Sequence, residues 1–194
     1  MEASLRKRNK RKYLLIAAGV TVVLLLILLV SWSGVVELGV INRNSSIPVS
    51  LGEGWDPGVI GALQLVPTEE GQVGGTGYEN ADRCIKIALS SYPDALIGSQ
   101  RVTAVMLTEG NTEDHILGVL LGDRTNVAYE KLGNCGFDTV KTKLGIRAWR
   151  GNIVIDLAVN EKNRISSICA YLEGSNIFGI QFQEVNEENE QSGT

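Results

Sequence analysis

The segment "NIVIDLAVNEKNRISSICAYLEG", residues 152–174, has the clearest structural pattern in the chain. Apolar Ile153, Ile155, Leu157 and Val159 alternate with the intervening residues, and this period of two is typical of a β-strand with one buried face. The tetrapeptide "NEKN", residues 160–163, is rich in turn residues and separates this run from a second one. The segment therefore predicts a β-hairpin.

Further strands are predicted on both sides of this hairpin. "RVTAVMLTEG" (101–110), "HILGVLLGD" (115–123) and "RTNVAYEKLG" (124–133) contain apolar, β-forming residues between polar loops, and "IFGIQFQEV" (177–185) predicts a last strand. "FDTVKTKLGIRAW" (137–149) fits a short helix or an irregular link. In the segment 37–77, which is rich in Gly, Ser, Asn and Pro, the apolar piece Val59–Val66 or the region around Trp55 can add a strand at the domain edge.

A helix is predicted over residues 76–93, "TGYENADRCIKIALSSYP". Thr76 and Glu79 have the spacing of a capping box, and Pro93 is a typical stop. The apolar residues with helical spacing are Tyr78, Ala81, Ile85, Ala88, Leu89 and Tyr92. One or two helices on an antiparallel sheet make the predicted fold class α+β. The predicted core consists of Ile85, Ala88, Leu89, Val102, Val105, Leu107, Ile153, Ile155, Leu157, Ile168 and Phe182.

The N-terminal segment "RKRNKRKYLLIAAGVTVVLLLILLVSW", residues 6–32, predicts a transmembrane helix over residues 13–36, which carry no charge. At 1.5 Å of rise per residue, Tyr13 and Trp32 would lie roughly 28 Å apart, close to the thickness of a bilayer core. Aromatic residues favour the two membrane interfaces, and a basic cluster favours the cytoplasmic side. That cluster consists of Arg6, Lys7, Arg8, Lys10, Arg11 and Lys12.

The alternative for this segment is a cleaved signal peptide, with Ser31-Trp32-Ser33 as the candidate cleavage site. Signal peptides usually have apolar regions of only about 7–15 residues, so we favour a retained anchor. The predicted organisation is a basic cytoplasmic arm (1–12), a transmembrane helix (13–36), a stalk (37–77), an extracytoplasmic α+β domain (78–185) and an acidic disordered tail (186–194). This places the protein in a cell membrane as a single-pass, signal-anchored chain in contact with the lipid bilayer, with its N-terminus in the cytoplasm.

Charge argues against a nucleic-acid partner. The first twelve residues hold six of the 18 basic and one of the 22 acidic residues, so the rest has 12 against 21, a net charge of −9. Nucleic acid requires a basic surface. Cys84, Cys135 and Cys169 are predicted to include a disulfide pair outside the cytoplasm, with the third thiol free, buried or paired between chains. They have no CxxC spacing, and with a single histidine we expect neither a metal nor a cofactor.

Four features offer weak evidence of chemistry. His115 can act as a base near neutral pH, but no nucleophile motif accompanies it. The glycine-rich residues 71–77 precede the predicted helix without the lysine of a P-loop, so a hinge is the better interpretation. The adjacent carboxylates fit a solvated surface; they are Glu69 with Glu70, Glu113 with Asp114, and Glu187 with Glu188. Asn44-Ser45-Ser46 is a glycosylation sequon.

The stretch "ADRCIKIALSSYPDALIGSQRVTAVML", residues 81–107, resembles the start of a PepSY-type domain, in which an amphipathic helix and a Tyr-Pro turn lead into strands. The matching residues are Ala81, Ile85, Ala88, Leu89, Tyr92, Pro93, Ala95, Val102 and Val105. "LGDRTNVAYEKLG" matches the usual closing strand only loosely. The resemblance implies a cystatin-like fold and a small binding or inhibitory module on the outer face of a membrane, not an enzyme.

Three functions fit these observations. The first is a single-pass protein that displays a small extracytoplasmic domain for protein–protein binding or regulation. The second is an accessory subunit whose anchor packs among the helices of a larger membrane complex. The third, which has least support, is an anchored hydrolase that uses His115 or a pair of carboxylates.

Overall fold

A computed structural model describes residues 16–26, 28, 35–68 and 77–174 of the chain. The chain divides into two compact units, Met1–Val36 and Glu37–Thr194.

In the first unit, residues 16–26 and 28 are helical, and their large apolar side chains are exposed. Within the described residues, no helix combines the length and apolarity that a membrane span requires. This finding contradicts the predicted transmembrane helix over residues 13–36, and with it the predicted single-pass signal anchor. Tyr13, Trp32 and the basic cluster lie outside the described residues.

The second unit is built on one eight-stranded antiparallel sheet with few helices, which corrects the predicted α+β class with its helices packed on a small sheet. Its strands are β1 (Val66–Thr68), β2 (Gly77–Asn80), β3 (Ile85–Leu89), β4 (Val102–Leu107), β5 (Asp138–Lys141), β6 (Gly145–Arg150), β7 (Ile153–Val159) and β8 (Ile165–Leu172). The strand order is β1-β2-β3-β4-β8-β7-β6-β5. The helices described are α1 (Val35–Arg43), α2 (Gly58–Ala62) and α3 (Thr125–Asn134).

Strand register places one apolar row on the core face of the sheet. Ile87 lies opposite Val105, Val105 opposite Ala170, and Ala170 opposite Ile155. All four side chains are fully buried. Because successive side chains of a strand point to opposite faces, the next residue along each strand belongs to the second face.

The predicted helix over residues 76–93 is wrong, since the described part of that stretch forms the β2–β3 hairpin and the start of a loop. Asn80 closes the hairpin turn by accepting a hydrogen bond from the backbone N–H of Arg83 at 2.7 Å. The segment "IKIAL" satisfies a period of two as well as a helical period, and Ile85, Ile87 and Leu89 are all completely buried. Pairing with β4 decides between the two patterns.

Three other segments also differ from expectation. The predicted strand at residues 124–133 is α3, which buries Ala128 and Leu132 on one face because they lie four residues apart. The ambiguous segment 137–149 forms β5 and β6. In the predicted strand at residues 115–123, Ile116 and Val119 form only an isolated bridge across a tight turn. The predicted strand at 177–185 lies outside the described residues.

Much of the predicted stalk belongs to the folded unit. The side chain of Asn42 on α1 bonds to both the N–H and the carbonyl of Leu51, as a paired strand would. Trp55 stacks on Tyr78 with ring centroids 5.3 Å apart. The buried apolar residues from this region are Ile41, Val49, Leu51, Trp55 and Leu65.

The predicted core residues are buried wherever the structure describes them, with exposures of 0–2%. Ala88 alone among them belongs to a smaller cluster on the second face of the sheet. Phe182 lies outside the described residues.

Stability measurements can distinguish the hairpin from the predicted helix. Ile87 is fully buried in β3 but falls outside the predicted helical stripe, whereas Tyr92 belongs to that stripe and is 81% exposed. We expect Ile87→Ala to lower the free energy of unfolding by about 2–5 kcal/mol in urea denaturation. Tyr92→Ala should leave it nearly unchanged, and the reverse order would contradict the hairpin.

Candidate functional site

The segment that joins β3 to β4, residues 90–101, carries the two most exposed large apolar side chains among the described residues. We call it the β3–β4 loop. Its two ends are joined by the Ser90 N–H, which donates to the Arg101 carbonyl at 2.8 Å. The Gln100 side-chain amide donates to the Ser90 carbonyl at 2.7 Å. The Arg101 backbone N–H donates to the Ser90 hydroxyl at 3.0 Å. The loop therefore has a defined base.

Asp94 organises the tip of this loop. One carboxylate oxygen accepts hydrogen bonds from the backbone N–H groups of Leu96 and Ile97, at 2.8 and 3.2 Å. The other oxygen forms an ion pair with the Arg101 guanidinium at 2.6 Å. The Asp94 carbonyl also accepts from the Gly98 N–H at 2.8 Å. The backbone N–H of Leu96, followed by Arg101, lowers the pKa of Asp94 below its ordinary value of 3.8.

This ordered tip presents apolar side chains to solvent. Leu96 is 96% exposed, Tyr92 is 81% exposed and Ile97 is 41% exposed. Exposed apolar side chains are common singly, but here three of them lie on one short loop. A loop held by backbone and ionic contacts can present these groups without a large ordering cost.

The second face of the sheet contains a buried ionic network. Asp156 on β7 is 1% exposed and accepts hydrogen bonds from Arg147 Nε at 2.9 Å and Arg147 Nη2 at 3.2 Å. The Tyr171 hydroxyl donates to the same carboxylate at 2.8 Å. Three donors compensate for the loss of hydration that burial of a carboxylate entails.

Burial and the charge of Asp156 also affect two neighbouring groups. Burial, followed by the charge of Asp156, raises the pKa of the Cys169 thiol far above its ordinary value. Burial and the bond to Asp156 likewise raise the pKa of Tyr171. Both groups are therefore neutral at physiological pH, so Cys169 is a poor nucleophile and Tyr171 remains a hydrogen-bond donor.

A second buried carboxylate, Asp114, has a structural role. Arg83 contacts both of its oxygens at 2.9 and 3.0 Å, and Asn111 donates to it at 2.9 Å. The adjoining cavity is only about 110 Å³. The predicted pair of Glu113 and Asp114 is thus divided, because Glu113 is exposed and Asp114 is buried in a network that joins the 108–115 loop to the β2–β3 turn.

The remaining candidates from the sequence are scattered. His115 Nδ1 accepts a hydrogen bond from the Gly118 N–H at 3.2 Å, so the ring closes a tight turn and gives no support to the hydrolase alternative. Among the described residues, no group of three or more His, Cys, Asp or Glu side chains is placed to hold a metal ion. Asn44 is exposed at the end of α1. Residues 71–76 of the glycine-rich segment, and Glu69, Glu70, Glu187 and Glu188, lie outside the described residues.

The three cysteines are free thiols in the structure, so the disulfide expected from the sequence is not formed there. Cys84 lies in the turn before β3, Cys135 follows α3, and Cys169 is buried in β8. They belong to three separate parts of the fold.

Comparisons with protein-family models, with characterised proteins and with solved structures gave no match for this chain. The resemblance to PepSY-type domains therefore stays a prediction. The segment that carries it includes the β3–β4 loop, with Tyr92, Pro93 and Ala95.

Sequence reasoning missed both Asp94 and Asp156, although each had a local signal. Pro93-Asp94 and Gly98 are turn residues on either side of apolar Leu96 and Ile97, a pattern that indicates an exposed loop with apolar residues at its tip. Asp156 is an acid in the middle of an apolar strand, which indicates a buried partner.

The pH dependence of the β3–β4 loop should follow Asp94. Because its folded pKa is lowered, the carboxylate organises the loop at neutral pH and loses this role only as pH falls through a value below 3.8. NMR should show the amide shifts of Leu96 and Ile97 constant from neutral pH to about pH 4 and moving below it. Asp94→Asn should remove this titration, and a midpoint above 3.8 would contradict the assignment.

The ionic network should contribute strongly to stability. Asp156→Ala removes the acceptor of three hydrogen bonds from a buried site, and we expect a loss on the order of 3 kcal/mol in free energy of unfolding. Tyr171→Phe removes one of the three bonds and should cost about 1 kcal/mol. Equal effects of the two substitutions in chemical denaturation would show that the carboxylate is not the centre of the network.

Proposed function

We propose that this chain is a protein-binding domain and that the β3–β4 loop is its contact surface. The observation that carries the proposal is the exposure of Leu96 and Tyr92 on a loop whose backbone is held by Asp94. Burial of a fully exposed Leu side chain gains roughly 1.5–3 kcal/mol, so the tip contributes binding energy only when a partner covers it.

Preorganisation supports this role. The Asp94 carboxylate, the Ser90 hydroxyl and the Gln100 amide fix the loop through bonds that do not involve the apolar side chains. The conformational entropy that a mobile loop would lose on binding is thus largely lost already during folding. Tyr92 adds a large and rigid ring with a polar end, which is favoured at protein interfaces.

Charge favours a protein over a lipid surface as the partner. Arg101 is the only basic residue of the loop, and it is paired with Asp94 at 2.6 Å. Loops and helices that bind anionic membranes usually combine apolar residues with unpaired Lys or Arg. The chain from residue 13 onward is also acidic, with a net charge of −9. The partner that fits is a protein with an apolar pocket and a basic rim.

Site-specific crosslinking in the organism that encodes the chain tests the proposal. A photoreactive residue in place of Tyr92 in the full chain should yield one discrete adduct, whose partner can then be identified and purified. Leu96→Asp should weaken binding of that partner at least about 30-fold, the effect of a central contact residue.

Leu144 provides the matched control. It is 54% exposed and lies in the turn between β5 and β6, so Leu144→Asp makes the same change on a different loop. We expect partner affinity to be unchanged in this variant. Equal affinity of wild type and Leu96→Asp would reject the loop as the contact surface. Sedimentation with vesicles that depends on Leu96 would instead identify a lipid surface as the partner.

A further inference from the structure

The second face of the sheet contains a pocket apart from the β3–β4 loop. Its volume is about 400 Å³, within the range of small-molecule sites. The residues that line it include Trp149 on β6, Val154 on β7, Tyr171 on β8, and Glu173 and Gly174 just after β8. Gly151, in the turn between β6 and β7, and Arg147 complete the lining.

Strand register gives this pocket two aromatic sides. Trp149 lies opposite Val154, and Val154 lies opposite Tyr171, so the three side chains form one row on the same face. Two strand spacings of about 4.8 Å put the backbones of Trp149 and Tyr171 roughly 10 Å apart, with the shorter Val154 between them. All three side chains line the pocket, which we call the slot, with Val154 in the middle of the row and an aromatic residue on the strand to either side.

The charges around the slot favour a cation. Arg147 is matched by Asp156 through two hydrogen bonds, so this pair contributes little net charge. Glu173 lines the pocket and is exposed. Glu37 lies close to Gly151, since a Cβ added at Gly151 would be 3.3 Å from the Glu37 carboxyl carbon, although Glu37 itself does not line the pocket. Its Oε2 atom is buried and finds no hydrogen-bond donor among the described residues.

We propose that this pocket binds an organic cation with a methylated ammonium head group. Aromatic faces attract such a cation through their quadrupoles, and the attraction is largest where the cation has little water to lose. The methyl groups match the apolar side chain of Val154, and the negative charge of Glu173 supplies the countercharge. The same head group occurs on free choline-like molecules and on trimethylated lysine side chains. The proposal does not depend on the β3–β4 loop.

The test is a titration of the full chain with tetramethylammonium chloride, followed by saturation-transfer difference NMR on the methyl signal. We expect saturable binding, and the saturation-transfer signal should persist when an equal concentration of sodium chloride is added. Trp149→Leu should weaken this binding about tenfold, the effect of losing one desolvated cation–π contact. Trp149 is 40% exposed, so the variant should fold, and its unfolding curve checks this.

A pair of charge variants tests cation binding in this pocket without changing Trp149. Glu173→Lys should weaken binding of tetramethylammonium several-fold, whereas Glu161→Lys should not. Glu161 is exposed in the turn between β7 and β8, at the opposite end of these strands from Glu173, and gives the same change of charge. Saturable binding by wild type with the same affinity in Glu173→Lys and Trp149→Leu would overturn the assignment, as would the lack of any binding.

The source of the head group is resolved by two further ligands. Tighter binding of an N-acetyl-trimethyllysine amide than of choline would identify a modified protein side chain as the natural ligand. Tighter binding of choline would identify a free or lipid-attached head group. Loss of partner binding in Leu96→Asp with tetramethylammonium binding intact would show that the two sites act separately.

Discussion

The antiparallel pairing of β4, β8 and β7 is the constraint on which the rest of the second unit depends. Register places Val105, Ala170 and Ile155 in one fully buried row, and a shift by one residue would turn all of them to the opposite face. The same register therefore also determines what lies on the second face. There it brings Cys169 opposite both Met106 and Asp156.

A buried acid on that second face has to be compensated. Asp156 obtains two donors from Arg147 on the neighbouring strand and one from Tyr171 on the other neighbour. Arg147 and Tyr171 also line the pocket, so residues of the network that stabilises the sheet also shape the pocket next to it. The register of the sheet therefore determines both the buried ionic network and the candidate binding pocket next to it.

The β3–β4 loop shows the same relation between a polar contact and an exposed surface. Asp94 satisfies two backbone N–H groups that would otherwise require water, and its pairing with Arg101 links the tip to the base of the loop. The apolar side chains of Leu96 and Tyr92 are not needed for this arrangement. Their exposure is the basis for our proposal that a partner protein contacts this loop.

Period-two patterns were determined by the sequence alone where no helical pattern competed with them. The hairpin of β7 and β8, strand β4 and the burial of Ile153, Ile155 and Leu157 could all be predicted, because alternation of apolar residues has one structural interpretation there. The segment "IKIAL" fits both the period of two of a strand and the period of a helix, and only its pairing with β4 shows that it is a strand. The helix α3 was predicted as a strand, because the burial of Ala128 and Leu132 on one helix face depends on contact with the rest of the fold and not on the local sequence.

The candidate sites could be predicted only in their parts. The sequence shows a Pro-Asp turn with apolar neighbours and an acid within an apolar strand, but not that Leu96 is exposed or that Asp156 meets Arg147 and Tyr171. Those facts depend on contacts between residues far apart in the chain, which no local pattern encodes. The predicted membrane anchor likewise relied on length and apolarity along the sequence, whereas the part of the chain that the structure describes contains no helix long and apolar enough to cross a membrane. Local periodicity determined the strands of the hairpin, and tertiary pairing decided which side chains are buried together and which face outward.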